Sequence, residues 1–233
     1  MTPDPNHGRT LARLMCDTTR EVLWSSYRDQ LRQTRPQASL ECRPGAGRAT
    51  YHRYDHRLQH HLITYGARMV MAKQSPETAA GWLSTREIRA RGYFDGELSS
   101  LNLLAHTCTH EFAHLLQQHA GKRYHGSVHN QHFYQLLDQL NREGLAHRSR
   151  DHLKRSAQRQ GITLDDRPMT MPCQQQQAGQ WHKGDAVIFG HGRAAREGRV
   201  VKVNRRTCTV EGTGASQGLR FRVPFALLQA RST

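Results

Sequence analysis

Residues 110–114 read His110-Glu111-Phe112-Ala113-His114, and after fourteen intervening residues the chain continues His129-Asn130-Gln131-His132-Phe133. A helix turns once every 3.6 residues, so His110 and His114 fall on one face. Both imidazoles can then reach a single divalent ion at about 2.0–2.1 Å. Glu111, one step round the helix, is placed to take a proton from a water that the ion acidifies. The expected roles are His110 and His114 as metal ligands and Glu111 as general base. The expected cofactor is one catalytic Zn²⁺.

The flanking residues fit a helix. Leu101, Leu104, Cys108, Phe112 and Leu115 form one apolar stripe, while His110 and His114 lie on the opposite side, facing a cleft. The helix is expected to begin between Glu97 and Ser100 and to end near Ala120, where Gly121 permits the chain to turn away. A second amphipathic helix follows, with Phe133, Leu136, Leu137 and Leu140 inward, Asn130 as its N-cap and Gly144 as its stop. His129 stands just before that cap and would complete three protein ligands, leaving a fourth position for water. His125-Gly126 offers a competing register with a shorter loop, and at the level of sequence both remain open.

The pattern H-E-x-x-H, a loop, then His-x-x-x-Phe opening a helix resembles the SprT-like and Spartan metalloprotease family, and the related WLM-type proteases share it. The resemblance is carried by residues 110–133. It implies an α+β, zincin-like domain with a small antiparallel sheet and an active-site helix. It further implies zinc on His110, His114 and His129, Glu111 as the catalytic base, and cleavage of proteins associated with or crosslinked to DNA. Two departures stand out. Asn130 replaces the glycine that many relatives carry after the third histidine, and the four-cysteine zinc ribbon of some relatives is missing, which leaves no case for a second, structural zinc.

The remaining histidines have blander readings. His106 and His119 could line the cleft or orient a ligand, but they read first as solvated or supporting groups, and His52, His56, His60 and His61 lack one clear spacing and read as surface residues. The five cysteines are odd in number, with no C-x-x-C pair, so they form neither a disulfide framework nor a metal knuckle; Cys108 reads as a small core residue.

Charge is the second informative property. A formal net charge of +15 and a pI near 10.4 predict attraction to a polyanion, with DNA or another nucleic acid the expected partner beside a protein substrate. No apolar run approaches a membrane span, and residues 1–10 lack an export signal, so the cytoplasm is the expected compartment, nucleoid association included. No phosphate-binding glycine loop of the G-x-x-x-x-G-K type occurs.

Three regions are expected. Residues 1–150 read as the metallopeptidase domain, with a helix over Arg20 to Arg32, strands over Ala49 to Tyr54 and His61 to Tyr65, and a capping box at Ser84-Thr85-Arg86-Glu87 starting a short helix. Residues 151–180 read as a polar, glutamine-rich linker. Residues 181–233 read as a small all-β, SH3-like or KOW-like barrel, its strands at Asp185 to Phe189, Arg199 to Asn204, Thr207 to Glu211 and Leu219 to Pro224. This tail holds ten Lys and Arg against three acids, a net of +7. Arg199, Lys202, Arg205, Arg206, Arg220 and Arg222 are its candidate nucleic-acid contacts. The expected activity is therefore a DNA-associated zinc metallopeptidase; the alternative is a non-proteolytic zinc protein that binds or regulates DNA.

Overall fold

The computed structural model describes residues 5–170, 179–190, 195–205 and 207–231. They form two units, Met1–Ser75 with Trp82–Met169, and Thr170–Thr233 with Pro76–Gly81. The first is α+β, and the second is built on a β-sheet.

In the first unit, α1 (Pro5–Thr18) runs through a π-helical turn (Thr19–Trp24) into α2 (Ser25–Thr34). The widened turn begins at Thr19, whose buried hydroxyl bonds the Met15 carbonyl at 2.8 Å and also meets the Tyr65 hydroxyl at 2.6 Å. A side-chain donor on an i−4 carbonyl competes with the helix ladder at that point. The expected helix over Arg20–Arg32 is thus the second half of a longer element, with Val22, Leu23, Tyr27 and Leu31 buried.

Three strands follow: β1 (Ser39–Gly45), β2 (Tyr51–Asp55) and β3 (His60–Gly66), in the order β1-β3-β2. β2 and β3 are antiparallel as expected, but β1 pairs with β3 in parallel, so the sheet is mixed. Pro44 and Gly45, which look like a break in the sequence, instead close β1. An edge strand tolerates proline because one side of it needs no ladder partner.

Short helices α3 (Ala67–Ala72) and α5 (Leu83–Arg91) lead to a 3₁₀ turn at Tyr93–Gly96 and then to α6 (Ser100–His119); α4 (Pro76–Ala79), which falls between α3 and α5 in the chain, belongs to the second unit. Ser99 caps α6 by accepting from the Asn102 N–H at 3.0 Å. At its other end Gly121 takes φ of 68° while the Lys122 N–H returns to the Gln117 carbonyl at 3.0 Å. The expected apolar stripe is fully buried, but so is most of the opposite side, including His106, Thr109, Glu111, His114 and Gln117. α6 is the central rod of the unit, not a helix with one open face.

α7 (Gln131–Arg142) starts at Asn130, whose side chain accepts from the Phe133 N–H at 3.0 Å, and α8 (Leu145–Arg159) begins after Gly144 in a left-handed conformation. Residue 150 lies inside α8, which packs on α6 and buries Leu145, Ala146 and Leu153. The chain beyond α8 stays with this unit, since the Leu101 N–H bonds the Asp165 carbonyl at 3.1 Å.

The second unit has β4 (Ala186–Phe189), β5 (Arg196–Val203), β6 (Thr207–Gly212), β7 (Arg220–Pro224) and β8 (Leu228–Ala230), all antiparallel, in the order β7-β6-β5-β4-β8. A 3₁₀ turn, Phe225–Leu227, joins β7 to β8. Val187, Phe189, Val200, Cys208, Val210, Val223, Phe225 and Leu228 form its core. The expected closed barrel is not found. The sheet is open, with β7 and β8 at its two ends, and the three residues of β8 are all spent on pairing with β4. The glutamine run Gln174–Gln177 lies outside the described residues. No helix among those described is long and apolar enough to cross a membrane.

Leu153 of α8 is wholly buried. Leu153→Ala is expected to lower the unfolding free energy by about 2–5 kcal/mol, read from the denaturant midpoint at constant slope.

Candidate metal centre

α6 and the entry to α7 bring three imidazoles together. His129 Nε2 stands 3.2 Å from His114 Nε2 and 3.2 Å from His110 Nε2. One ring proton on His129 can serve only one of these two neighbours, so an arrangement of three bare rings leaves lone pairs facing each other. Two nitrogens at corners of a tetrahedral Zn²⁺ shell would lie ~3.3 Å apart, and the donor set fits that ion. His110, His114 and His129 offer ligand atoms all within 4.8 Å of one another. His125 is exposed and belongs to no such group among the described residues, so the register the structure assembles is the one ending at His129.

Two of the three rings are oriented from behind. His110 Nδ1 donates to Glu87 Oε2 on α5 at 2.9 Å, which leaves Nε2 free for a metal. His106 Nε2 donates to the same carboxylate oxygen at 2.8 Å. Burial alone would raise the Glu87 carboxyl, but the two imidazoles that bond and face it hold it well below the usual carboxylate range. His114 Nδ1 points to Gln117 Oε1 at 3.3 Å, and Gln117 Nε2 in turn donates to the Val128 carbonyl (2.9 Å) and to Asn130 Oδ1 (3.0 Å). The residue that orients His114 therefore also anchors the loop that delivers His129. The Phe133 ring lies 4.9 Å, 4.3 Å and 4.9 Å, centroid to centroid, from His110, His114 and His129. It closes the apolar side of the centre.

The electrostatics suit neutral ligands. Burial pulls His114 down to about 2, with His110 and Arg123 adding to the effect, and burial also lowers His129. Glu111 is buried, with Oε2 lacking a partner among the described residues. Burial pushes its carboxyl up while His110, Lys73 and Arg123 pull it back. Lys73 is 3% exposed and its ammonium bonds the Thr107 hydroxyl.

Glu87 is the supporting residue that the sequence reading misplaces. The Ser84-Thr85-Arg86-Glu87 pattern suggests a capping box, but Ser84 lies inside α5, no side chain caps that helix, and Glu87 turns to the histidines. Among the other histidines, His106 is wholly buried on Glu87, not solvated. His52 and His61 are buried too, because they occupy inward positions of β2 and β3; their ring nitrogens approach to 2.9 Å. His119 bonds Thr34 at 2.7 Å, away from the three ligands.

In the second unit Arg199, Lys202, Arg205, Arg220 and Arg222 are exposed; Arg206 lies outside the described residues. Register places Arg199, Glu211 and Arg220 in one cross-strand row and Lys202, Thr209 and Arg222 in the next. Both rows lie on the face opposite Val200, Cys208, Val210 and Val223, so four of the candidate contacts share one surface.

No family model matches the chain, and no curated protein or solved structure matches it either.

Two measurements probe the centre. His129→Ala should weaken zinc binding by at least about tenfold relative to His125→Ala, in competition with a chromophoric chelator; equal or reversed ranking would reject the His129 register. Glu87→Gln should lower zinc affinity by about 10–100-fold without removing a ligand.

Proposed function

We propose that this protein is a zinc metallopeptidase of the SprT-like type that acts on DNA-associated proteins. The observation that carries this reading is the convergence of His110, His114 and His129, with a buried Glu111 carboxylate oxygen on the same helix that lacks a partner among the described residues. A purely structural ion needs no general base, and four protein ligands are the usual closed shell; three imidazoles with a neighbouring carboxylate are the open set. The α+β arrangement, with the H-E-x-x-H helix packed beside β2, supports the zincin-like reading.

When bound, Zn²⁺ supplies Lewis acidity for the carbonyl and for water. Glu111 takes a proton from water as the water oxygen bonds to the carbonyl carbon, and passes it to the amide nitrogen as the C–N bond breaks. Glu87 and Gln117 hold His110 and His114 in the tautomers that leave Nε2 free. Phe133 keeps the back of the site dry.

The second unit supports the DNA-associated part of the reading. Its last strand returns to the first across a 3₁₀ turn, an SH3-like trait in an open sheet. Arg199, Lys202, Arg220 and Arg222 share one exposed face, with the Glu211 carboxylate beside Arg220 at 3.8 Å. Exposed large aromatics are sparse on this unit, so phosphate contacts would dominate and binding would not depend on sequence.

Glu111→Gln is expected to keep one zinc per chain and to lose cleavage of a protein crosslinked to DNA by at least on the order of 10²-fold. Cleavage at the parental rate would reject the mechanism. Replacing Lys202 and Arg222 together by alanine should reduce the slope of log K against log salt for DNA by about 1.4–1.8, the loss of two phosphate contacts. An unchanged slope would remove this face from the DNA-binding surface.

A further inference from the structure

The last turn of α5 carries a second contact beyond Glu87. Glu87 and Arg91 stand four residues apart, so they share one face of that helix. Glu87 turns to His106 and His110 on α6. Arg91 turns to α7, where Nε donates to Asp138 Oδ1 at 2.9 Å and Nη2 donates to Asp138 Oδ2. Its guanidinium also lies over the Tyr134 ring, 4.5 Å from the centroid. Tyr134 and Asp138 are again four residues apart. One face of α5 thus meets one face of α7 through a bidentate pair and a stacked cation.

The connection from α5 to α6 adds a third group. Tyr93 donates its hydroxyl to Asp138 Oδ1, and its ring lies 5.4 Å, centroid to centroid, from that of His106. Phe94 and Asp95 follow in left-handed backbone, with φ of 51° and 58°. Side chains disfavour that region, and it persists only where the surroundings impose it. The hydrogen bonds from Arg91, and after them the one from Tyr93, hold the Asp138 carboxyl below the usual carboxylate range against the effect of burial.

Stability does not account for this arrangement. The Arg91 and Asp138 side chains are 32% and 36% exposed, and a pair so open to water adds little to folding. What a bidentate pair adds is direction. Phe133, Leu137 and Leu140 bury the apolar side of α7, which packs on α6. Apolar burial is non-directional and constrains the turn of a helix about its axis, or its slide along a neighbour, only loosely. His129 precedes the first turn of α7, so its 3.2 Å approaches to His110 and His114 follow any such movement. Gln117 and Asn130 hold the His129 loop on its α6 side, and Arg91 holds the helix behind it on the α5 side.

We propose that Arg91 is a positioning residue of the metal centre: through Asp138 and Tyr134 it fixes α7 against α5, so that His129 meets the ion on the frame from which Glu87 orients His110. The assignment rests on the three-histidine zinc centre read above and not on proteolysis. One helix face then serves two ligands, His110 through Glu87 and His129 through Arg91.

The test measures zinc affinity of the full-length protein by chelator competition, and urea stability of the zinc-free protein, for the parental chain, Arg91→Met, Arg91→Lys and Asp138→Asn. Arg91→Met and Asp138→Asn are each expected to weaken zinc binding by about tenfold. Arg91→Lys, which keeps the charge without the planar fork, should weaken it by less than Arg91→Met. The deciding readout is a double-mutant cycle with His129→Ala. Because Arg91 acts through His129, Arg91→Met should cost less than about twofold once His129 is gone. An equal loss in both backgrounds, or a loss of urea stability with parental zinc affinity, would make Arg91 a structural residue only and overturn the role. A parental chain that binds no zinc overturns the metal centre and this role together, whereas zinc bound equally by the parental chain and by Arg91→Met overturns the role alone. Should Arg91→Met fail to fold, Asp138→Asn enters the same cycle: coupling to His129 supports the role, and additivity overturns it.

Discussion

The constraint on which the first unit depends is the burial of a polar helix. α6 places His106, Thr107, Thr109, Glu111, His114 and Gln117 below the surface, and each buried polar group without a partner costs about 1–3 kcal/mol. The surrounding elements are arranged to meet that demand. α5 supplies Glu87 to two of the histidines, the loop before α7 engages Gln117, and Lys73 meets Thr107. Thr107 and Thr109 turn their hydroxyls back to the helix carbonyls. The pieces that satisfy α6 are the same pieces that orient the ligands, so packing and site geometry are one problem with one solution.

Much of the centre was legible in the sequence because its information is local. The i, i+4 spacing of His110 and His114, the N-cap at Asn130 and the glycine after α6 are short-range rules, and the structure follows them. The groups behind the ligands were not legible, because their partners are distant in the chain. Glu87 lies 23 residues before His110 and offers a capping pattern that misdirects. Arg91 and Asp138 are 47 residues apart. The mixed sheet was hidden for a similar reason: parallel pairing of β1 with β3 is a tertiary choice, and Pro44-Gly45 reads locally as a break. α1 went unseen because its helical signal sits beside Pro5 and Gly8. The strands of the second unit were visible from their β-branched residues, whereas whether they close into a barrel depends on how the sheet ends meet.

The basic residues illustrate what register adds to composition. A count of charges in the tail suggests an anion-seeking segment without saying where the charge lies. Pairing of β5 with β6 and of β6 with β7 aligns Lys202 with Arg222 through Thr209, and Arg199 with Arg220 through Glu211. The hydroxyl of Thr207 also meets Arg222 Nε at 3.3 Å. Side chains far apart in sequence thereby become rows about a strand spacing apart, a scale on which phosphate groups can be met several at a time.

Asn130 has a consequence of another kind. One side chain caps α7, receives Gln117 and ties down the carbonyl of Lys122, so the third ligand sits on a loop whose anchor belongs to the protein fold and not to the ion. Two ligands are preset on a buried rod, and the third, His129, is exposed at the surface. With His110 and His114 set on the buried helix and His129 reached from solvent, an ion held by the three would enter and leave on the His129 side, without the domain passing through an unfolded chain.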